Sequence, residues 1–448
     1  MSVNPEILTE TGFRQLEGEP LPIFTRDTED LTLFYAPGFL AAAREMEAAE
    51  IRQTLSGEIP FGKLPFSDLI NFASSACSSW AVIHDPAACR PTCLTVYSSQ
   101  ACNLKCSYCF AEGQRKELRQ LDTEFILRSA GEVLENCKET GTPFTAVFHG
   151  GGEPSLDPRL PILWTELKNM SEKEDVPFFS YIATNGVMDA EKAHWIAEHF
   201  SAVGLSVDGP PDIQNKQRPL RGGGESAPAV ERTATILKEV KGWLNVRVTV
   251  PPERSGRIPE IAEYCAGKLH ADEIHMEPVY CRGAGPDPDL ADGYCEAYLK
   301  AKHTLEAAGV RLTFSGSRIG EIHGRYCQIF RHVLHLVPPH GTSPCFVLSS
   351  EQEVRQAHFC FEQDGITDHS RLIPEDPKCA DCFNRFHCAR GCPDVCPALP
   401  GELHDAGSFR CRVSRILAEA ELLDLARRLL FGPARKYGYA GMKLREEL

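Results

Sequence analysis

The sequence predicts an α/β protein built around a partial (β/α)6 barrel. A small α+β region precedes the barrel, and a loop-rich, cysteine-bearing module ending in a helix follows it. Three observations carry this. From about residue 93 to 310, short apolar or β-branched runs alternate with amphipathic stretches of helical length, the pattern of a parallel sheet curved towards a barrel. After about residue 315 the periodicity fades and Gly, Pro and Cys dominate. From about Arg412 to Leu430 an apolar stripe at helical spacing returns, through Ile416, Leu417, Leu422, Leu423, Leu425 and Leu429.

In chain order, Leu31-Thr-Leu-Phe-Tyr35 reads as a strand, and Phe39 to Leu55 as a helix ending at Gly57. The barrel strands are Cys93–Tyr97, Phe144–Phe148, Phe178–Ile182, Ala202–Ser206, Val246–Val250 and Glu273–Glu277. Each is short and apolar without clean alternation, as expected of strands buried on both faces. Helices are expected over Thr123–Lys138, Asp189–Phe200 and Pro228–Lys241. Polar and Gly-rich segments follow the strands, at the ends where α/β proteins bind ligands.

A length of 448 residues suggests two to four domains. The boundaries read as 1–90, 91–312, 313–412 and 413–448. A net charge of −15 disfavours nucleic acid or an anionic membrane as the main partner. No apolar run approaches the roughly 18–20 residues of a membrane span. The start, Met1-Ser-Val-Asn-Pro-Glu6, lacks the basic and apolar parts of a signal peptide, so a cytoplasmic location is expected. The 19 cysteines cannot all pair internally, and nine fall between Cys327 and Cys411. In a reducing compartment such clusters read as metal ligands before disulfides.

The sharpest motif is Cys102-Asn-Leu-Lys-Cys106-Ser-Tyr108-Cys109, directly after the first barrel strand. Three thiolates at these spacings can reach three corners of a cubane iron–sulfur cluster, leaving the fourth iron open. The plainer alternatives are a zinc site one ligand short, or buried structural cysteines. Cys379-Ala-Asp-Cys382, Cys388, Cys392 and Cys411 form a second constellation. Its spacing alone suits structural zinc and iron–sulfur clusters comparably well.

The first motif, with an aromatic before its third cysteine, resembles the radical S-adenosylmethionine (SAM) superfamily over about residues 93 to 411. The resemblance implies a [4Fe–4S] cluster whose open iron is chelated by SAM, and a 5′-deoxyadenosyl radical formed by SAM cleavage. It also implies further SAM contacts at the strand ends. Gly151-Gly152-Glu153 looks like the segment that binds the SAM amino group, and Thr184-Asn185 like the turn facing SAM. Ser206 and Asp208 would meet the ribose or carboxylate, and Arg218 would pair with the carboxylate. Pro251-Pro252 departs from the family's adenine-binding segment after the fifth strand.

Behind such a barrel, the C-terminal cysteines resemble the SPASM extension, which carries two auxiliary [4Fe–4S] clusters. The resemblance assigns Cys379, Cys382, Cys388 and Cys411 to the outer cluster. Cys392, Cys327, Cys345 and Cys360 go to the inner one, whose fourth position is either Cys360 or open to substrate. Here the chain departs from the family, because Gly341 stands only four positions before Cys345. Families with this pair of clusters mostly modify peptides and proteins. Phe314-Ser-Gly-Ser-Arg318 and the Cys379–Pro393 stretch are most similar to the quinohemoprotein amine dehydrogenase maturation group, which forms thioethers.

The leading expectation is therefore a radical SAM/SPASM maturase that installs a thioether or related crosslink in a ribosomally made peptide. Its partners would be a substrate with a leader segment and a low-potential donor of the flavodoxin or ferredoxin type. One rival is a sulfatase-type maturase making formylglycine, for which Asp212 and Glu277 are the candidate bases. Another is a non-catalytic iron–sulfur or zinc scaffold. The N-terminal region would either recognise a leader peptide by strand addition or simply pad the barrel.

Overall fold

The computed structural model describes residues 9–10, 13–14, 20–55, 66–83, 90–109, 111, 120–279, 286–322, 333–338, 341–343, 382–388, 408–431 and 439–443. At the N-terminal end the strands are β1 (Thr9–Glu10), β2 (Phe13–Arg14), β3 (Pro20–Leu21) and β4 (Phe24–Asp27). Next, β5 (Thr32–Ala36) and β6 (Phe39–Ala43) pair antiparallel across Pro37-Gly38. Gly38 sits at φ +92°, a conformation that side chains with a Cβ rarely adopt.

The helix expected over Phe39–Leu55 is therefore divided. Its first five residues are strand, and helix α1 covers only Glu45–Leu55. All five strand residues are buried, and pairing on both sides overrides the helix propensity of the three alanines. Helix α2 (Phe66–Ile83) follows.

The barrel units are β7 (Cys93–Val96), α3 (Thr123–Thr140), β8 (Phe144–Phe148), α4 (Leu160–Lys173) and β9 (Phe178–Thr184). They continue with α5 (Ala190–His199), β10 (Ala202–Ser206), α6 (Pro211–Gln217), α7 (Ala227–Lys241) and β11 (Asn245–Val250). The last are α8 (Ile258–Glu263), β12 (Glu273–Pro278), α9 (Ala291–Ala307) and β13 (Arg311–Thr313). Local signals set the helix ends. Asp122 caps α3 by accepting from Phe125 N–H at 2.9 Å, and Asp189 caps α5 by accepting from Lys192 N–H at 2.8 Å.

All six expected strands are present and mutually parallel. Two further strands that the sequence reading left out extend this sheet beyond β7. These are β14 (Val333–Val337), parallel to β7, and β15 (Gly341–Ser343), antiparallel to β14. The sheet order is β13-β12-β11-β10-β9-β8-β7-β14-β15.

The expectation of strands buried on both faces holds for β7, β10 and β12 and needs correction for β8, β9 and β11. Burial alternates along β8 and β11. Leu94, Val96, Phe148, Leu205, Val246 and Val248 face the helices, and all are essentially inaccessible. Their burial contributes about 1.5–3 kcal/mol per side chain. The alternate positions carry Thr95, Tyr97, Thr145, Tyr181, Arg247, Thr249, His275 and Glu277, so the other face of the sheet is polar.

The chain finishes with α10 (Phe409–Phe431) and β16 (Tyr439–Lys443). β16 pairs antiparallel with β6, completing a sheet in the order β1-β4-β5-β6-β16. One face of that sheet packs on α1 and α2 through Phe34, Phe39, Ile51 and Leu69. The other packs Phe24, Leu33, Tyr35 and Leu40 against Phe383 and the Leu422–Leu430 stretch of α10. Among the described residues, no helix is long and apolar enough to cross a membrane.

Candidate functional site

The sequence-predicted residues of the first site gather at the C-terminal ends of consecutive parallel strands. Cys102, Cys106 and Cys109 lie on the loop after β7, and Gly151, Gly152 and Glu153 follow β8. Thr184 ends β9 and Asn185 follows it, Ser206 ends β10, and Asp208 lies two residues beyond. Arg218 caps the C-terminal end of α6.

The loops are tied to one another by hydrogen bonds. Glu153 is 2% exposed and its carboxylate accepts from Ser155 N–H at 3.1 Å, Thr184 Oγ1 at 2.7 Å and Asn185 N–H at 2.7 Å. Burial still raises its pKa, the three donors only opposing the rise. Glu153 N–H in turn donates to Ala101 O at 2.7 Å. This close approach requires glycine before it. A Cβ on Gly152 would lie 2.3 Å from Ala101 O and 2.5 Å from Ser99 O. Asn185 Nδ2 donates to Asn103 Oδ1 at 2.8 Å, and Asn103 Nδ2 donates to Val187 O at 2.7 Å.

Asp208 and Arg218 are committed to each other. Arg218 Nε lies 3.0 Å from Asp208 Oδ1, with the Asp208 side chain fully buried. Asp208 also accepts from Tyr108 Oη, from Gln217 Nε2 at 2.9 Å and from Thr249 N–H at 3.3 Å. The Arg218 guanidinium stands 5.4 Å from the Tyr108 ring centroid. Sequence reasoning missed Asn103, Gln217 and Arg221. Arg221 donates from Nε to Cys102 O at 3.1 Å and from Nη2 to Leu104 O at 3.2 Å.

The residues fit a thiolate-bound cluster. Leu104 N–H reaches Cys102 Sγ at 3.5 Å, and Asn185 Nδ2 reaches it at 3.8 Å, both donors that favour a thiolate. Burial pushes the Cys106 thiol up to about 11, against the opposing charge of Arg218. Among the described residues, no three Cys, His, Asp or Glu groups are gathered tightly enough to hold a single metal ion.

The polar sheet face below carries a ring cluster that the sequence did not single out. Tyr97 lies 5.9 Å from both His149 and His335, centroid to centroid. Burial, with the Arg247 charge, lowers His149 to about 4. Burial, with His149, lowers His335 to about 3. Both imidazoles are thus neutral at physiological pH.

Both candidate bases are engaged in ion pairs. Asp212 is exposed on α6 and paired with Arg257 at 3.0 Å, which lowers its pKa. Glu277 is buried between His275 Nε2 (3.1 Å) and Arg410 Nη1 (3.2 Å), and also accepts from Ser315 N–H at 2.7 Å. Burial alone would raise its pKa, but Arg410 and these partners hold it well below the carboxylate range.

Of the second constellation, Cys382, Cys388 and Cys411 are described and partly buried. Burial and the neighbouring Cys388 push the Cys382 thiol up, while Arg415 and the N–H groups of Asn384 and Arg385 act the other way. Cys327, Cys345, Cys360, Cys379 and Cys392 lie outside the described residues.

Comparison with known proteins places these observations. Residues 96–265 match the family model described as the radical SAM superfamily. The cysteine-type anaerobic sulfatase-maturating enzyme of Clostridium perfringens is 30% identical over 175 residues. That match covers 37% of this chain and 46% of the relative, so the chain spans about half the length of the curated relatives it matches. The solved structure of native anSMEcpe with bound AdoMet superposes with a TM-score of 0.60 at 19% identity, over 75% of this chain and 99% of that one. Streptococcus suis SuiB bound to the precursor peptide SuiA gives a TM-score of 0.53 at 14% identity, over 86% and 99%. At these identities the structural likenesses establish the fold. Family match and fold agree on one conclusion: the chain carries a radical SAM domain.

Proposed function

We propose that this protein is a radical SAM maturase that modifies a ribosomally made peptide or protein, forming a thioether or related crosslink. One observation carries the reading: a three-thiol loop lies across the C-terminal ends of parallel strands, held there by the Gly152–Glu153 and Asn185 segments. Cys102, Cys106 and Cys109 would hold a [4Fe–4S] cluster. Bound together, that cluster and SAM supply a 5′-deoxyadenosyl radical able to remove hydrogen from an unactivated carbon.

The chain's own residues bind and orient. Glu153 presents a buried carboxylate suited to an ammonium group, and Asn185 fixes the cysteine loop against the β9 turn. Cys382, Cys388 and Cys411, with the cysteines outside the described residues, would hold the auxiliary clusters. An electron carrier of the flavodoxin or ferredoxin type would supply the reducing equivalent. The solved SuiB complex holds a precursor peptide, which supports a peptide substrate here.

The second reading, formylglycine formation, is favoured by the sequence similarity to the Clostridium perfringens enzyme. It is disfavoured because Glu153, Asp208 and Glu277, the buried carboxylates at the strand ends, are all engaged. Mass spectrometry of cysteine-containing peptides encoded beside the gene, after incubation with anaerobically reconstituted enzyme, separates the two. A crosslink removes a pair of hydrogens and keeps the sulfur, whereas conversion of cysteine to formylglycine removes a pair of hydrogens and also replaces the sulfur with oxygen. Absence of 5′-deoxyadenosine under reducing conditions would refute both.

A further inference from the structure

Residues 103–107 and 217–221 run antiparallel past one another. Arg221 N–H donates to Asn103 O at 2.8 Å, and Leu104 bridges Leu220. Lys105 N–H donates to Pro219 O at 2.9 Å, and Ser107 N–H donates to Gln217 O at 2.9 Å. This register sets Cys106 directly opposite Arg218, in the non-hydrogen-bonded type of pair whose side chains share a face with Cβ atoms about 4.5–5.5 Å apart. Beyond Cys106 the chain turns, Cys109 N–H donating to Cys106 O at 3.2 Å, and the Tyr108 ring in that turn receives the Arg218 guanidinium at 5.4 Å.

Arg218 is 9% exposed and Asp208 is fully buried, so water screens neither charge well. Charge close to an iron–sulfur cluster is one of the levers that set its potential. A cation next to a ligand sulfur favours the reduced, more negative cluster, and an anion behind it partly offsets that effect. Of the two charges, Arg218 is the one that the register sets directly opposite Cys106, with Asp208 paired to it.

We propose that the buried Arg218–Asp208 pair, placed against Cys106 by this ladder, sets the reduction potential of the cluster on the three-thiol loop. The proposal rests on the reading that those thiols hold a cluster. Arg218 is then a positioning and tuning residue, held in the protein by Asp208 and Tyr108.

The test compares wild type with Arg218→Gln, Arg218→Lys and Asp208→Asn after anaerobic reconstitution. Iron and sulfide content come first, together with an electron paramagnetic resonance signal that changes on adding SAM. Its absence from wild type would sink the cluster reading itself. With the signal present, its midpoint potential is measured in each protein. Arg218→Gln is expected to shift the potential down and Asp208→Asn to shift it up, with Arg218→Lys near wild type. A purely structural role would not give shifts of opposite sign. Unchanged potentials, or shifts in the same direction, overturn the proposal. Should Arg218→Gln fail to hold iron, Asp208→Asn alone decides: an upward shift supports the proposal, and any other result overturns it.

Discussion

Arg410 and Glu277 form a buried ion pair, Nη1 to Oε2 at 3.2 Å, that ties the first turn of the C-terminal helix to the end of the sixth barrel strand. Arg410 Nη2 also donates to Ser315 Oγ at 3.0 Å, so the pair pins the segment between them. Removing one member leaves the other charge buried and uncompensated. Arg410→Met is expected to cost roughly 3–5 kcal/mol of stability, read as a lower urea midpoint. Because Cys411 is the next residue, iron retention should fall as well. Wild-type stability in this variant would show that the pair is not structural.

Acid should remove two stabilising contributions whose onsets are separate. His149 and His335 titrate near about 4 and about 3 when folded, against ~6.5 unfolded. The native state binds fewer protons between those values, so their contribution is complete above ~6.5 and is lost as pH falls towards 4 and 3. Glu277, depressed by Arg410, adds a loss that begins only below the ordinary carboxylate pKa of ~4.3. Glu419, raised by burial to about 7, and Glu153, raised likewise, act the other way over the same range. The test is therefore a difference: below pH ~6.5 the urea midpoint of wild type should fall relative to that of His335→Asn. An identical slope in that variant would remove His335 from the explanation.

Gly152→Ala tests the close backbone approach beneath the cysteine loop. The new methyl would meet two main-chain carbonyls, neither of which can swing aside as a side chain could. The expected result is a folded protein by circular dichroism, with sharply reduced iron uptake at the first site and reduced SAM cleavage. Normal iron and normal cleavage would mean that the loop has room to shift.

The two groups of cysteines should separate by substitution. Replacing Cys102, Cys106 and Cys109 with alanine is expected to abolish 5′-deoxyadenosine formation while part of the iron remains. Replacing Cys382 and Cys388 should lower iron content yet leave some SAM cleavage when a chemical reductant is supplied. If the second pair instead retains zinc and no iron after anaerobic reconstitution, the module is a zinc structure.

Much of the barrel was legible because its strands and helices are local. Val246 to Val250 and the helix capped by Asp122 announce themselves within a dozen residues. Phe39–Ala43 was misread because three alanines favour helix until a partner on each edge makes them strand. Val333–Val337 carries a strand-like pattern but sits among cysteines that drew the reading towards loops. The three-thiol loop was visible from its spacing, whereas its attachment was not. The ladder between residues 103–107 and 217–221 runs through backbone groups more than a hundred positions apart, which leave no trace in side-chain composition. For the same reason the sequence assigns Asp208 and Arg218 each to a ligand and does not show that they pair with each other.

The pairing of β16 with β6 has a consequence for biogenesis. Lys443 lies opposite Phe39, about 400 residues away in the chain. At ~5–20 residues per second, a ribosome needs roughly 20–80 s between making one edge of this junction and the other. Throughout that interval β6 offers an unpaired edge, the kind of surface that invites wrong association. The helix that carries Cys411 is synthesised at the end of the same wait. Metal delivery to the C-terminal cysteines would then follow translation, and a chaperone shielding β6 would act earliest of all.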